Sequence, residues 1–281
     1  MIGRSALFIP ASSPSMINAS IAFRADTLIF DLEDAVSIGE KDAARDLLDG
    51  ALGQIEKKNL FIRINPLSSA FWRADIELFL KSGSQGIVLP KATPGDVKSV
   101  SEIIKQSNRE ISVVPLIETA RGVEEITDII QCSPLVSGIL FGAEDYCLSM
   151  GVKRTKEGRE IAYARARLAN AAHAYGIEAM DTPFTNADDA EGLNKDAVLA
   201  KSLGFSGKAA INPRQIDVIN KTFSVEAAEL EQALRIIRAM EEAEKSGKGV
   251  FSLDRQMIDA PIAQRARKLI KRAQIWGEMS C

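Results

Sequence analysis

Eight short apolar runs rich in β-forming residues alternate along the chain with longer helical patterns, and this alternation constrains the fold more than any other feature. The runs begin at residues 5, 26, 60, 86, 112, 137, 178 and 207. Helical patterns lie between them, at 41–58, 94–110, 121–131, 158–176 and 186–204. Most of these begin with acidic residues and several end with glycine, as helices prefer. Eight βα units within about 220 residues predict an α/β fold of the (β/α)₈ TIM-barrel type.

A doubly wound open sheet is the main alternative to a closed barrel. It normally has fewer strands and a glycine-rich phosphate turn after one of them. The sequence contains neither GxGxxG nor GxxxxGK[ST]. The barrel is therefore the better interpretation, with residues 1–222 forming it.

The pattern changes after Asn212-Pro213 to two helical stretches, 224–247 and 259–279, joined by 247–258. A closed barrel has no strand edge left to pair with, so these helices do not extend the sheet. We interpret 223–281 as a C-terminal helical arm. It would pack on or reach into a neighbouring subunit, or cover a mouth of the barrel.

Composition narrows the classes of function. Lys and Arg together number 35 and Asp and Glu 38, giving a net charge of -3, which argues against nucleic acid as a partner. No apolar run approaches the roughly 18 residues that span a bilayer, and the N-terminal apolar stretch is too short for a signal peptide. The chain has three widely spaced cysteines, which favours a reducing cytoplasm.

The single histidine, His173, lies in an alanine-rich helical pattern and is interpreted as a packing or surface residue. Carboxylates, lysines and arginines must therefore carry most of the chemistry. Polar side chains follow the predicted strands, where the C-terminal mouth of a barrel is built. Clustered there, these charges require a metal or an anionic substrate to balance them. They are Asp31, Glu33, Asp34, Arg63, Asn65, Lys91, Glu118, Asp145, Asp181 and Asn212.

Glu118 and Asp145 end neighbouring predicted strands, about one βα unit apart, so their carboxylates are expected side by side. Two adjacent carboxylates without histidine or thiolate form a hard oxygen site that suits Mg²⁺. The alternative is a pair of acids in salt bridges with Arg121 or Arg63.

Arg63 alternates into an otherwise apolar strand, FIRINP, where an unpaired guanidinium would be costly. Its planar fork suits a carboxylate or a developing enolate oxygen, and the alternative is a salt bridge to Glu33 or Asp31. Asp31 and Glu33 alternate onto one side of the chain, toward the mouth, which leaves Asp34 to cap the following turn. The role of Lys91 in LPK stays open between a Schiff base and a phosphate, carboxylate or structural partner.

Several segments together resemble the citrate lyase beta-subunit family, which includes malyl- and citramalyl-coenzyme A lyases. They cover nearly the whole chain in order: RSALFIPA, DLEDAV, EKDAARD, FIRIN, LPK, PLIET, FGAEDY, GFSGKAAINPRQID and MIDAPIAQRAR. The resemblance implies a (β/α)₈ barrel that is usually a trimer or hexamer. It also implies Mg²⁺-dependent cleavage of a 3-hydroxy-3-carboxy acyl thioester into an acetyl thioester and a 2-keto acid.

The resemblance assigns roles to individual residues. Glu118 in PLIET and Asp145 in GAEDY match the family's metal ligands, and Arg63 in FIRIN matches its substrate-binding arginine. Asp259 in MIDAPI matches an aspartate that in relatives reaches a neighbouring subunit's active site as an acid/base. From the sequence alone, Asp259 before Ala260-Pro261 is equally well a helix N-cap.

We expect Glu118, Glu33, Asp31 and Lys91 to contact the substrate together with Arg63. The turn after the first strand, ASSPSMINAS, lacks the lysines that often meet nucleotide phosphates in coenzyme A lyases of this group. This weakens a free coenzyme A substrate and keeps an acyl-carrier protein open as the thioester's carrier. A malyl-coenzyme A lyase and a thioesterase on the same barrel remain alternatives. A non-catalytic subunit is disfavoured, because an idle site gains nothing from clustered buried charge.

Overall fold

Eight parallel strands form a closed barrel in chain order, with β1 paired to both β2 and β8. The computed structural model describes residues 3–55, 59–107, 109–245, 251–253 and 256–276. The predicted TIM barrel is confirmed, since every predicted apolar run contains a strand. The strands are β1 Ser5–Pro10, β2 Thr27–Asp31, β3 Leu60–Arg63, β4 Gly86–Leu89, β5 Ser112–Ile117, β6 Gly138–Phe141, β7 Glu178–Asp181 and β8 Gly207–Ala210.

Helices follow the strands around the barrel. They are α1 Pro14–Ala19, α2 Lys41–Leu52, α3 Trp72–Lys81, α4 Pro94–Lys105, α5 Ala120–Glu124, α6 Ile126–Gln131, α7 Ala143–Met150, α8 Ala162–Tyr175, α9 Ala190–Leu203 and α10 Ile216–Phe223. The predicted helical segment 121–131 is divided into α5 and α6 at Glu125. Helices α1, α3, α7 and α10 lie outside the predicted segments. With six to ten residues each, they offer too few turns for the helical period to stand out.

Strand alternation sorts the barrel's side chains into two layers. One set fills the barrel interior, and the other packs against the helices. Ile29, Phe61 and Leu116 belong to the interior set. Asp31 and Arg63 end their strands two residues further on, and Glu118 directly follows β5, so all three continue the inward-facing series to the C-terminal mouth. The interior is tight, because a side chain at Gly86 would overlap the ring of Phe61.

The chain divides into two compact units, Met1–Phe223 and Ser224–Cys281. In the second unit, α11 Ala227–Lys245 is followed by a two-stranded antiparallel sheet, β9 Phe251–Leu253 and β10 Gln256–Ile258, and by α12 Ala260–Ile275. A small apolar core includes Ala233, Ile236 and Ala266. The sequence interpretation took 247–258 as a plain connection and missed these two strands. Among the described helices, none combines the length and the apolar character needed to cross a bilayer.

Candidate active site

A cavity of about 440 Å³ lies at the C-terminal mouth of the barrel. Its charged lining includes Asp31, Asp34, Arg63, Glu118 and Asp145. Five of the ten predicted mouth residues therefore share one cavity. The rest of the wall is largely apolar, with Phe8, Leu116, Leu140, Phe141, Pro183 and Ile211 among its members.

Arg63 is held in this cavity by a bidentate ion pair. Its Nε and Nη2 donate to the two carboxylate oxygens of Asp31 at 2.7 and 2.5 Å, and its Nη1 lies 3.0 Å from Oε2 of Glu33. Burial alone would lower the pKa of Arg63, but the Asp31 and Glu33 carboxylates outweigh it and raise the pKa. The salt bridges to Asp31 and Glu33 that the sequence analysis named as the alternative for Arg63 are therefore both present. The guanidinium is a permanently charged, fixed cation at the cavity wall.

Asp31 also organises the turn after β2. Its Oδ1 accepts the backbone N–H of Glu33 at 2.8 Å and its Oδ2 that of Ala35 at 3.1 Å. The capping predicted for Asp34 is therefore made by Asp31, and that detail of the sequence interpretation is wrong. Asp31 ends its strand and precedes both N–H groups, which lets one carboxylate bridge the turn and Arg63. The Asp34 side chain is 57% exposed and lies 3.4 Å from Arg63 Nη1.

Lys91 connects two acids at the mouth. Its Nζ donates to Oε1 of Glu33 at 3.0 Å, and its backbone N–H donates to Oε1 of Glu118 at 2.7 Å. The hydrogen bond and charge of Glu33 raise the pKa of Lys91, although burial opposes them. The amine is therefore protonated at neutral pH, which favours the carboxylate partner over the Schiff base among the open roles. Lys91 adopts a left-handed backbone, φ 47°, alone among the described non-glycine residues.

Asp145 lies in the first turn of α7 and not at a strand end as predicted. Strand β6 ends at Phe141, and Gly142 is the N-cap residue of α7. The run FGAED thus spans the end of the strand and the start of the helix, which a strand-length apolar pattern does not reveal. The side chain still lines the cavity together with Glu118.

The donor set of Glu118 and Asp145 fits a magnesium ion. In the described part of the chain, Asp145 has no hydrogen-bond or ion-pair partner, and neither has Oε2 of Glu118. Arg121 pairs with Glu125 at 2.7 Å, so it does not neutralise these acids. No group of three or more acidic, histidine or cysteine side chains in the described ranges could hold a metal. Two carboxylates completed by water and substrate oxygens are typical of Mg²⁺ sites.

Burial raises the pKa of Glu118 to about 8, with the nearby Glu33 charge adding to the effect. We predict that Mg²⁺ stabilises the protein more at pH 8.5 than at pH 6.5. The pKa of Glu118 is about 8 in the folded protein and 4.5 in the unfolded chain. Protonation of Glu118 therefore stabilises the fold at low pH, and this stabilisation is lost as the pH rises through about 8. The metal needs the ionised form, so its affinity should fall about tenfold per pH unit below 8.

Thermal unfolding with Mg²⁺ and with EDTA at both pH values measures this difference. In Glu118→Gln, Mg²⁺ should raise Tm by the same small amount at both pH values. An equal Mg²⁺-induced increase in Tm at the two pH values in the parent protein would contradict the assignment.

Three predicted mouth residues are used inside the scaffold instead. Asp181 is fully buried and accepts hydrogen bonds from Arg165 at 3.0 and 2.9 Å and from Lys208 at 2.6 Å. Nδ2 of Asn65 donates to the carbonyl of Leu32 at 2.9 Å and to Oδ2 of Asp75 at 2.7 Å, and Asn212 caps the short 3₁₀ helix that follows β8. These polar side chains pair with buried charged groups or with backbone groups inside the scaffold. A polar residue at a predicted strand end does not show whether it has such a structural partner or faces the cavity.

Thr182 and Arg154 are neighbours of the site that sequence reasoning missed. Oγ1 of Thr182 accepts the backbone N–H of Ala143 at 3.1 Å, at the start of α7. Nη1 of Arg154 lies 3.5 Å from the same Oγ1 and 3.3 Å from Oε1 of Glu144. In the sequence, the polar residues after β7 could have indicated Thr182, and the basic segment after α7 could have indicated Arg154. His173 lies at the surface, with Nε2 2.8 Å from the Gly204 carbonyl oxygen, as its packing or surface role predicts.

Asp259 lies in the second unit, where it caps α12. Its Oδ1 accepts the backbone N–H of Ile262 at 3.1 Å, and its backbone is extended. The N-cap prediction is confirmed. The acid/base role stays a prediction.

Comparison with known proteins gives consistent results. Residues 4–213 match the model of the HpcH/HpaI aldolase/citrate lyase family. A citrate lyase subunit beta from Haemophilus influenzae is 40% identical, over 96% of this chain and 97% of its own. A (3S)-malyl-CoA thioesterase from Cereibacter sphaeroides is 30% identical over 96% and 94%. The structure of Mycobacterium tuberculosis CitE with magnesium, acetoacetate and coenzyme A superposes with a TM-score of 0.80 at 30% identity, covering 97% of this chain and 98% of that one.

Proposed function

The chain belongs to the HpcH/HpaI aldolase/citrate lyase family, and we propose that it is a Mg²⁺-dependent carbon–carbon lyase. Its substrate is a citryl- or citramalyl-type acyl thioester, cleaved to an acetyl thioester and oxaloacetate or pyruvate. One observation carries the proposal: Asp145 and Oε2 of Glu118, which have no hydrogen-bond or ion-pair partner among the described residues, share a cavity with the fixed cation Arg63.

Glu118 and Asp145 would hold the metal ion. When bound, Mg²⁺ supplies Lewis-acid stabilisation of the oxygen that becomes the keto group. Arg63 binds and orients the thioester, because its guanidinium is fixed by Asp31 and Glu33 before substrate arrives. The positive charge of Arg63 would stabilise the negative charge that develops on the enolate oxygen, which favours carbon–carbon cleavage.

Asp259 is the proposed acid/base. It would remove the substrate hydroxyl proton and later return that proton to the acetyl thioester enolate. We propose that it acts from a neighbouring subunit of a homotrimer or homohexamer. Asp259 is half-buried at the start of α12, which is a rigid support for such a group.

The thioester's carrier is either coenzyme A or an acyl-carrier protein. The coenzyme A in the M. tuberculosis CitE structure supports the first, and the cation-free turn after β1 supports the second. Thioester hydrolysis is the second candidate activity, and the C. sphaeroides thioesterase supports it. A malyl thioester would require the same groups, because it differs from a citramalyl one only in the substituent on the hydroxyl carbon.

The decisive assay is incubation with citryl- and (S)-citramalyl-coenzyme A, with Mg²⁺ or EDTA, followed by coupled dehydrogenases. Mg²⁺-dependent pyruvate identifies a citramalyl substrate, and oxaloacetate a citryl one. Free thiol without a keto acid would replace the lyase proposal with a thioesterase. If neither thioester reacts, the same acyl groups are tested on an acyl-carrier protein, and no keto acid there would overturn the proposal.

We predict that Asp259→Asn lowers kcat more than it raises KM, and that mixing it with Arg63→Ala protein partly restores activity. If Asp259 of one subunit serves Arg63 of another, a mixed oligomer contains some intact sites. Activity is measured after dissociation and reassembly, with each variant reassembled alone as the control. Verified mixed oligomers without restored activity would argue against a shared site.

A further inference from the structure

Gly142 lies against the side chain of Glu118. A Cβ atom at Gly142 would be 2.7 Å from Cβ of Glu118, 2.9 Å from its Oε2 and 3.3 Å from Cδ1 of Leu116. Contacts below 3.0 Å require a shift, and a flexible side-chain end cannot relieve the overlap with Cβ of Glu118. The space beside the Glu118 carboxylate therefore exists because residue 142 is a glycine.

The backbone conformation does not explain the glycine. Gly142 has φ -109° and ψ 90°, a region open to any L-amino acid. Its backbone is also fixed, since its N–H donates to the carbonyl of Ile117 at 3.0 Å and its carbonyl accepts from Tyr146 at 3.1 Å. The residue thus joins the end of β5, which precedes Glu118, to the first turn of α7, which carries Asp145.

The other oxygen of Glu118 already accepts one hydrogen bond. The backbone N–H of Lys91 donates to Oε1 at 2.7 Å. Because the donor is a main-chain group in a left-handed conformation, its direction is set by the turn after β4 and not by a mobile side chain. Among the described residues no group donates to Oε2, so Oε2 is the oxygen more available to a ligand in the cavity.

From these contacts we infer that Gly142 is a positioning residue for the metal site: its missing side chain, with the Lys91 N–H on Oε1, makes Glu118 bind the cation through Oε2 alone. The inference rests on the proposed function through its assignment of Glu118 as a metal ligand. Single-oxygen binding leaves more of the coordination sphere to water and substrate, which suits the near-octahedral geometry of Mg²⁺.

The first test is binding of Mn²⁺ alone, measured by electron paramagnetic resonance on the full chain. Gly142→Ala should bind Mn²⁺ at least tenfold more weakly than the parent. Gly50→Ala is the matched control, because a Cβ at Gly50 in α2 meets nothing within 4 Å, and it should change the affinity less than twofold. Circular dichroism and thermal unfolding of the metal-free variants verify that both are folded.

A second measurement does not depend on any variant being stable at Gly142. Infrared difference spectra with Mg²⁺ and with EDTA, using Glu118→Gln to identify the band, report how the carboxylate binds. A wider splitting of the carboxylate stretches than in a free carboxylate indicates one bound oxygen and is expected. A narrowed splitting indicates two bound oxygens and would overturn the inference.

The outcomes separate this inference from the lyase proposal. Mn²⁺ binding by Gly142→Ala within threefold of the parent would overturn the positioning role. A parent protein that binds no Mn²⁺ would overturn both the role and the metal assignment. Normal metal results in a protein that cleaves no thioester would leave the inference standing and reject only the lyase activity.

Discussion

Glu118→Gln and Asp145→Asn are each expected to lower Mg²⁺-dependent kcat by at least about a thousandfold while the protein stays folded. A bound metal supplies several kcal/mol of charge stabilisation in the transition state, and each 1.36 kcal/mol is a factor of ten in rate. Neither Asp145 nor Oε2 of Glu118 has a partner in the described part of the chain, so the fold loses little with either charge.

The same substitutions should separate activity from stability. Glu118→Gln removes a buried carboxylate whose pKa is raised to about 8, so the metal-free variant should be at least as stable as the parent at pH 8.5. Glu102→Gln, on the exposed face of α4, is the control and should keep full activity. Coupled assays and thermal unfolding in EDTA provide both measurements. Full Mg²⁺-dependent turnover in either active-site variant would reject the metal assignment.

The second large effect is expected from Lys208→Met, which should lower the free energy of unfolding by about 3–5 kcal/mol. Lys208 on β8 is fully buried, and its Nζ lies 2.6 Å from carboxylate oxygens of both Asp181 and Asp196. Arg165 on α8 contacts the same two acids at 2.9 and 2.8 Å. Two cations balance two acids, so removing Lys208 leaves one uncompensated negative charge in the barrel wall.

A second substitution tests this charge balance. Asp196→Asn in the Lys208→Met background leaves Arg165 with Asp181 and should recover part of the lost stability. Lys195→Met is the matched control, because Lys195 is 75% exposed on α9 and surface pairs of this kind contribute about 0–1 kcal/mol. Denaturant unfolding measures all four proteins. A loss below about 1 kcal/mol for Lys208→Met would show that the network is not needed to hold β7, β8 and their helices together.

The barrel could be predicted from the sequence because its signals are local. Each strand and each long helix shows its own periodicity, and eight repeats of the βα unit leave few other topologies. Alternation placed Asp31 and Arg63 on the inward-facing side, and Glu118 was expected at the end of another strand that a barrel brings close to theirs. Their common location at the mouth therefore followed from residue order and the period of two.

The use of each side chain depended instead on contacts between residues far apart in the chain. Local pattern could not show that Asp181 pairs with Arg165 and Lys208, away from the cavity, because those partners lie on another helix and strand. The backbone contact of Lys91 with Glu118 likewise required the packed turns between strands. A strand-end carboxylate looks the same in sequence whether it meets a ligand or a buried lysine, and only the packing of the whole barrel determines which one lies within hydrogen-bond distance.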